Sequence, residues 1–143
     1  MSVEVRIASL LKVAAIDLAD SRNLAGSGSR NAAFLLEQSA EKIIRAVLTS
    51  EAIHPGIKHE LDKMVDAIPD ANPLKALLRD IEHLGRFATS FRYPTAEGKI
   101  LPLPPDIGKS IDAVQRALDE AVSRFGVDLA SKDSKASRPA PVR

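Results

Sequence analysis

The chain has 143 residues, of which 45% are hydrophobic and 27% are charged, and its formal net charge at pH 7 is +1. This length fits one domain, and the composition supplies a core, which excludes a chain that is disordered throughout. With 20 basic and 19 acidic residues and no cysteine, the sequence gives no strong signal for nucleic-acid binding and excludes disulfides and thiolate metal sites.

The first predicted helix carries apolar residues three and four positions apart between Ile7 and Leu18, and it is predicted to end near Ser21. Lys12 and Asp17 interrupt its apolar run, and no small-residue cleavage site follows, so it does not resemble a targeting segment. No stretch approaches the ~18 uninterrupted apolar residues that a membrane span requires. We therefore expect a cytoplasmic protein with no membrane partner.

The second predicted helix runs from an N-cap at Ser29 to about Ser50. Its apolar residues share one face, which we expect to be buried: Leu36, Ala40, Ile43, Ile44 and Val47. Its charged residues are expected on an outer, solvated face: Glu37, Glu41, Lys42 and Arg45. This separation of faces is typical of a helix that packs against a core on one side.

Prolines mark the ends of the next two predicted helices. The third is short and runs from about Ile57 to Ile68, just before a proline. The fourth is predicted as one continuous helix from an N-cap at Asn72 to the segment Arg92-Tyr93-Pro94. Its apolar stripe is predicted to be buried: Leu74, Leu77, Leu78, Ile81, Leu84, Ala88 and Phe91.

The fifth predicted helix begins near Asp106, buries an apolar stripe up to Phe125 and stops at Gly126. Residues 129–143 are rich in Ser, Lys, Arg and Pro and have little to bury, so we predict a disordered tail there. The sequence thus predicts an all-α, up-and-down bundle of about five helices over residues 1–128, followed by this tail.

The histidines are the first candidates for chemistry. His54 and His59 flank a Pro-Gly turn with a spacing that matches no common metal motif, so no metal and no cofactor are expected. Arg79, His83 and Arg86 lie on the polar side of the fourth helix. They either form a cluster that binds an anion or catalyses a reaction, or belong to a solvated face with ion pairs four residues apart. We favour the solvated face.

A planar cation and an aromatic ring, Arg92 and Tyr93, stand together at the end of the fourth helix. Arg92 either compensates the last carbonyl groups of the helix or binds phosphate, and Tyr93 either covers the edge of the core or stacks on a base. Because a short turn joins the third and fourth helices, they are predicted to run antiparallel, which places Arg92 near His59.

Four segments, taken in order, resemble the HEPN family of small helical domains. They are residues 31–42 (NAAFLLEQSAEK), the continuation at 43–48 (IIRAVL), His59-Glu60-Leu61 and Arg92-Tyr93-Pro94. The similarity extends over most of the predicted bundle, from about residue 8 to residue 125. It implies a helical bundle of a kind associated with nucleotide binding or RNA cleavage.

The resemblance also implies a branch of the family. HEPN ribonucleases carry an Arg, four to six intervening residues and then a His, whereas no His here has an Arg at that distance. The resemblance therefore implies a non-catalytic module that binds a nucleotide or another small anion through Lys42, Arg45, His59, Arg92 and Tyr93. It further implies a homodimer and a minimal nucleotidyltransferase as partner, as in some toxin–antitoxin pairs.

Two alternatives stay open. One is a divergent, metal-independent ribonuclease that uses Arg79, His83 and Arg86, and the other is a purely structural oligomerisation bundle. Val13 and Ile16 lie off the main apolar stripe of the first helix, and exposed apolar residues of this kind often mark an interface. We expect them to contribute to self-association.

Overall fold

The computed structural model describes residues 1–54, 56 and 60–140, and within them it contains helices and no strand. The elements are α1 (Val3–Gly26), α2 (Asn31–Ser50), α3 (Leu61–Asp66), α4 (Lys75–Arg79), a 3-10 helix (Glu82–Arg86), α5 (Phe87–Ser90) and α6 (Ile107–Phe125). The predicted all-α bundle is confirmed, with five helical elements when the short helices between Lys75 and Ser90 are counted as one. No helix in this described part has the length and hydropathy needed to cross a bilayer.

The two longest helices, α1 and α2, form an antiparallel hairpin. The Ser21 hydroxyl donates to the carbonyl of Ala32 (2.7 Å), and the Ser39 hydroxyl donates to the carbonyl of Ala14 (2.8 Å). Both serines are fully buried, so these bonds satisfy hydroxyls that have lost contact with water. The predicted end of α1 at Ser21 is wrong, because this serine packs into the hairpin and the helix continues to Gly26.

The predicted solvated face of α2 is also wrong in part. Glu37 has no exposed surface and Glu41 retains 7% of its own, and Glu37 Oε2 accepts a hydrogen bond from Gln38 Nε2 at 2.8 Å. The helix packs against α1, α3, α5, α6 and the 3-10 helix, so it is surrounded on several sides. A central helix of this kind buries charged residues that the sequence pattern assigns to its outside.

The predicted fourth helix is divided into α4, the 3-10 helix and α5. Four of its buried residues follow one another at intervals of three: Leu78, Ile81, Leu84 and Phe87. This interval matches the three residues per turn of a 3-10 helix rather than the 3.6 of an α-helix. Within the same stretch Gly85 lies against α3, where a Cβ atom would stand 3.3 Å from Leu61 Cγ. Five of the seven stripe residues are buried as predicted, Leu77 and Ala88 are half-buried, and the middle of the stripe lies on a tighter helix than predicted.

The prediction that Asn72 caps the fourth helix is wrong, because α4 begins at Lys75 and its N-cap is Leu74. The buried side chain of Asn72 instead accepts a hydrogen bond from the Leu74 amide (2.9 Å) and donates one to Glu51 Oε1 (2.8 Å), just beyond the end of α2. Because the first bond satisfies an amide just before α4 and the second a buried carboxylate, one side chain joins two parts of the chain.

The last helix agrees closely with its prediction. α6 begins after Asp106, buries the side chains of Ile107 and Phe125 near its two ends and stops at Gly126, whose φ of 58° is left-handed. Beyond it, the Lys12 ammonium donates to the carbonyls of Ser131 (2.7 Å) and Asp133 (2.6 Å). Residues up to 140 therefore have a described course beside α1, while the disorder of residues 129–143 in solution stays a prediction.

Candidate functional site

Lys42 and Arg45, two of the predicted site residues, line a groove of ≈ 550 Å³ between α1 and the second half of α2. Their spacing of three residues places both side chains on the same side of α2. The α1–α2 groove, as we call it, combines cationic and apolar side chains: Arg6, Leu10, Val13, Lys42, Arg45 and Ile53. No carboxylate is among its described lining residues.

Lys42 and Arg45 each form an ion pair with a carboxylate that does not line the groove. The Lys42 ammonium lies 2.6 Å from Asp17 Oδ2 and 3.5 Å from Gln38 Oε1, and Arg45 Nη2 lies 3.7 Å from Glu41 Oε1. The side chains of Lys42 and Arg45 retain 22% and 23% of their exposure. Partial burial reduces the screening of their charge by water, which strengthens the attraction for an anion that enters the groove.

Arg92 and Tyr93 lie beside the start of α2, not at the groove. The Arg92 guanidinium carbon is 5.4 Å from the centre of the Phe34 ring and 5.7 Å from that of Tyr93, within cation–π range. Both residues are exposed, and Phe34 is half-buried. Arg92 also borders a shallow pocket of ≈ 500 Å³ together with Arg30 and Phe34.

Arg30, at the same place, serves the fold. Its Nε donates to the carbonyl of Leu101 (2.7 Å), its Nη1 donates to the carbonyl of Phe91 (3.1 Å), and its guanidinium lies 5.4 Å from the centre of the Phe91 ring. These contacts attach the loop before α6 to the start of α2. Arg30, which borders the same pocket as Arg92, is therefore already engaged by backbone acceptors.

The structure thus separates the predicted site residues into two groups. Phe34, next to Arg92, precedes Arg45 by eleven positions on α2, and at 1.5 Å per residue this is roughly 16 Å along the helix axis. One small ligand does not bridge that distance. His59, and with it the predicted contact between His59 and Arg92, lies outside the described residues.

A comparison with protein families decides the identity of the bundle. The family model described as HEPN domain matches residues 7–124, which include α2 and most of α1 and α6. The chain belongs to the HEPN domain family. No curated protein and no solved structure gives a significant match.

The residues of the ribonuclease alternative lie away from the α1–α2 groove of the HEPN domain: Arg79 ends α4, and His83 and Arg86 belong to the 3-10 helix. Arg79 Nη1 is 2.6 Å from Asp66 Oδ1 and 2.8 Å from Glu82 Oε2. These two hydrogen bonds, of which the one to Glu82 has the larger effect, raise the pKa of Arg79 above its usual value. Arg86 lies over the Phe87 ring at 5.2 Å, and His83 is exposed. Arg79 is thus engaged by two carboxylates.

Sequence reasoning missed Arg6 and Thr49 as lining residues of the groove in the HEPN domain. Arg6 precedes Leu10 by four positions and Val13 by seven, so helical periodicity places the three on one side of α1. Nothing in the sequence gives the register of α1 against α2, and that register brings Arg6 to the groove. His54, considered only as a metal ligand, also borders it.

Proposed function

We propose that this HEPN domain is a non-catalytic module that binds a nucleotide or another small phosphate-bearing anion in the α1–α2 groove. One observation carries the proposal: Lys42 and Arg45 stand side by side at a groove whose other described walls include Leu10, Val13 and Ile53. A cytoplasmic location, supported by the absence of cysteine, and self-association are parts of the same proposal.

The two cations suit a phosphate group in different ways. The Arg guanidinium offers a planar set of donors that matches two phosphate oxygens, whereas the Lys ammonium acts as a compact point charge. Asp17, at 2.6 Å from the Lys42 ammonium, holds that cation beside the opening. A phosphate that binds there would share the Lys42 ammonium with Asp17. Because Asp17 already fixes the position of this ammonium, binding would not have to order the Lys42 side chain.

The apolar side of the groove suits the remainder of such a ligand. Leu10 and Val13 come from α1 and Ile53 from the segment after α2, so two parts of the chain supply one apolar wall. Small-molecule sites commonly combine a mainly apolar lining with a few polar groups that fix orientation. A ligand with a phosphate at one end and a flat ring at the other would use both parts of the groove.

Arg92 and Tyr93 are proposed as a second contact, separate from the groove. Arg92 would hold phosphate or a carboxylate, and Tyr93, which is 60% exposed, would stack on a ring or donate a hydrogen bond. A minimal nucleotidyltransferase, the partner that the family suggests, is large enough to reach both ends of α2. Co-purification with such a protein encoded beside this one would support this part of the proposal.

The non-catalytic assignment rests on the absence of the family's Arg–His motif and on the engagement of Arg79 by Asp66 and Glu82. Incubation of the protein with labelled RNA in the presence of a chelator should leave the RNA intact. Cleavage that His83→Ala abolishes would contradict the assignment and support the ribonuclease alternative.

Isothermal titration with ATP, AMP and inorganic phosphate tests the groove. Lys42→Met should weaken binding about tenfold to a hundredfold, because a charge-assisted contact contributes ~1.5–3 kcal/mol. Lys63→Met is the matched control, since it removes the same charge from an exposed site on α3. Equal affinities for the wild type and Lys42→Met would contradict the proposed site, and a wild type that binds none of the three probes would favour a structural bundle.

A further inference from the structure

α1 carries a row of residues that faces away from the core: Arg6, Ser9, Val13, Ile16 and Asp20. Their intervals of three, four, three and four place them on one side of a helix, as in the contact seam of a two-helix coiled coil. Val13 is 41% exposed and Ile16 is 59% exposed, and Arg6 and Asp20 are exposed as well. We call this row the outer stripe of α1.

The two apolar members of the stripe differ from the other exposed hydrophobic residues. Among the described residues, the other large exposed hydrophobic side chains lie in terminal segments or loops: Met1, Tyr93, Ile100 and Leu129. Val13 and Ile16 instead lie in the middle of a helix, where β-branched residues are not favoured by helix propensity. A contact that covers them would account for β-branched apolar side chains at these positions.

Charge along the stripe selects the direction of a helix that packs on it. Arg6 lies at the start, the apolar pair in the middle and Asp20 near the end. A parallel copy of α1 would bring Arg6 beside Arg6 and Asp20 beside Asp20, which is repulsive. An antiparallel copy brings opposite charges together at both ends, and a two-fold axis near the centre makes the two contacts equivalent.

We propose that the outer stripe of α1 is the surface through which this domain pairs with a second copy of itself, with the two α1 helices antiparallel. The two-fold axis passes near Val13 and Ile16, so that these residues pack against Val13 and Ile16 of the second copy. Arg6 and Asp20 lie seven residues either side of Val13, so each Arg6 comes within about one helical turn of Asp20 of the second copy. This inference rests on the self-association in the proposed function and adds its surface and direction.

The stripe fits a second copy better than a lipid surface. An amphipathic helix that lies on an anionic membrane carries several cations beside its apolar residues, whereas this stripe has one cation and one carboxylate. Its apolar part is small, with two side chains per copy. Stable dimers usually bury about 800 Å² per partner, so we expect association in the micromolar range.

The second copy would also border the α1–α2 groove. Three members of the stripe also line the groove, namely Arg6, Ser9 and Val13, whereas Ile16 and Asp20 do not. The helix of the second copy would therefore run along the open edge of the groove. Variants at Ile16 and Asp20 test the pairing surface without removing a side chain from the ligand site.

Sedimentation equilibrium from about 1 to 200 µM tests the proposal, since this range brackets a micromolar dissociation constant. The wild type should dimerise, and Asp20→Arg should raise its dissociation constant at least about tenfold, because Arg6 of the second copy then meets a cation. Ile16→Glu should do the same by placing carboxylates at the centre. Asp112→Arg, the same charge change at an exposed position on α6, is the matched control and should leave the dimer unchanged.

The decisive measurement uses a double variant in which the charges at positions 6 and 20 are exchanged. Arg6→Asp combined with Asp20→Arg should restore the dissociation constant to within about threefold of the wild type, because the antiparallel contacts are re-formed with reversed charge. A dimer that neither Asp20→Arg nor Ile16→Glu weakens would overturn the proposed surface and leave self-association standing. A chain that stays at 15.4 kDa over the whole range would overturn both, and the nucleotide titration would still decide the ligand proposal separately.

Discussion

The two ends of α2 carry similar residues and use them differently. At its start, Arg30 bonds two backbone carbonyls and Arg92 lies over aromatic rings, so these cations contact the fold itself. In its second half, Lys42 and Arg45 are held from behind by carboxylates and border an open groove. The contacts that separate the two groups of cations are not visible in the sequence, where Arg92 stands beside an aromatic residue.

The largest effect expected from this comparison is on stability, at the start of α2. Arg30→Met should lower the free energy of unfolding by about 2–3 kcal/mol, because it leaves the carbonyls of Leu101 and Phe91 without a half-buried donor. Urea denaturation of the variant and the wild type measures the difference. A loss below about 0.5 kcal/mol would mean that water replaces the guanidinium there and that Arg30 resembles the groove cations after all.

The second half of α2 should behave in the opposite way. Lys42→Met should change the free energy of unfolding by about 1 kcal/mol or less, since its ion pair with Asp17 keeps some contact with solvent. The same variant should lose nucleotide affinity, so a single protein separates ligand binding from folding. If urea denaturation shows a loss as large as that of Arg30→Met, Lys42 is part of the structure and the contrast between the two ends disappears.

Periodicity predicted most of the fold, and its errors have definite causes. The stripe of α6 and its stop at Gly126 need only local information, and they were predicted correctly. The 3-10 helix was missed because the intervals of three between Ile81, Leu84 and Phe87 also fit part of an α-helical stripe. The burial of Glu37 was missed because the number of helices that surround α2 is a property of the whole bundle.

The candidate site was only partly accessible from the sequence. Lys42 and Arg45 share a side of α2, which spacing alone predicts. Their separation from Arg92 depends on which end of α2 the loop before α6 reaches, and the contacts of Arg30 determine that end. Arg6 joins the groove only through the register of the α1–α2 hairpin, which buried serine hydroxyls help to fix.

The C-terminal tail serves as a third region for comparison, since the contacts named for it involve α1 and α6. Truncation after Ala130 removes the carbonyl acceptors of Lys12 and the bond from the Ser137 amide to the Phe125 carbonyl. We expect a cost of about 1 kcal/mol or less, which corresponds to a shift of the thermal midpoint of roughly 2–4 °C. Calorimetry measures it. A shift of ten degrees or more would show that the tail is an integral part of the bundle rather than a disordered extension.

The smallest effect is expected at Arg92. Its guanidinium is exposed over Phe34 and Tyr93, and exposed cation–π contacts contribute about 0.5–1 kcal/mol. Arg92→Ala should therefore be nearly as stable as the wild type in urea, in contrast to Arg30→Met at the border of the same pocket. Because roughly 16 Å of α2 separates this residue from the groove, Arg92→Ala should also bind AMP with unchanged affinity. If Arg92→Ala instead lowers the affinity for AMP tenfold or more while Lys42→Met binds AMP as the wild type does, the ligand site lies at the start of α2. The contrast between the cations at the two ends of α2 would then be wrong.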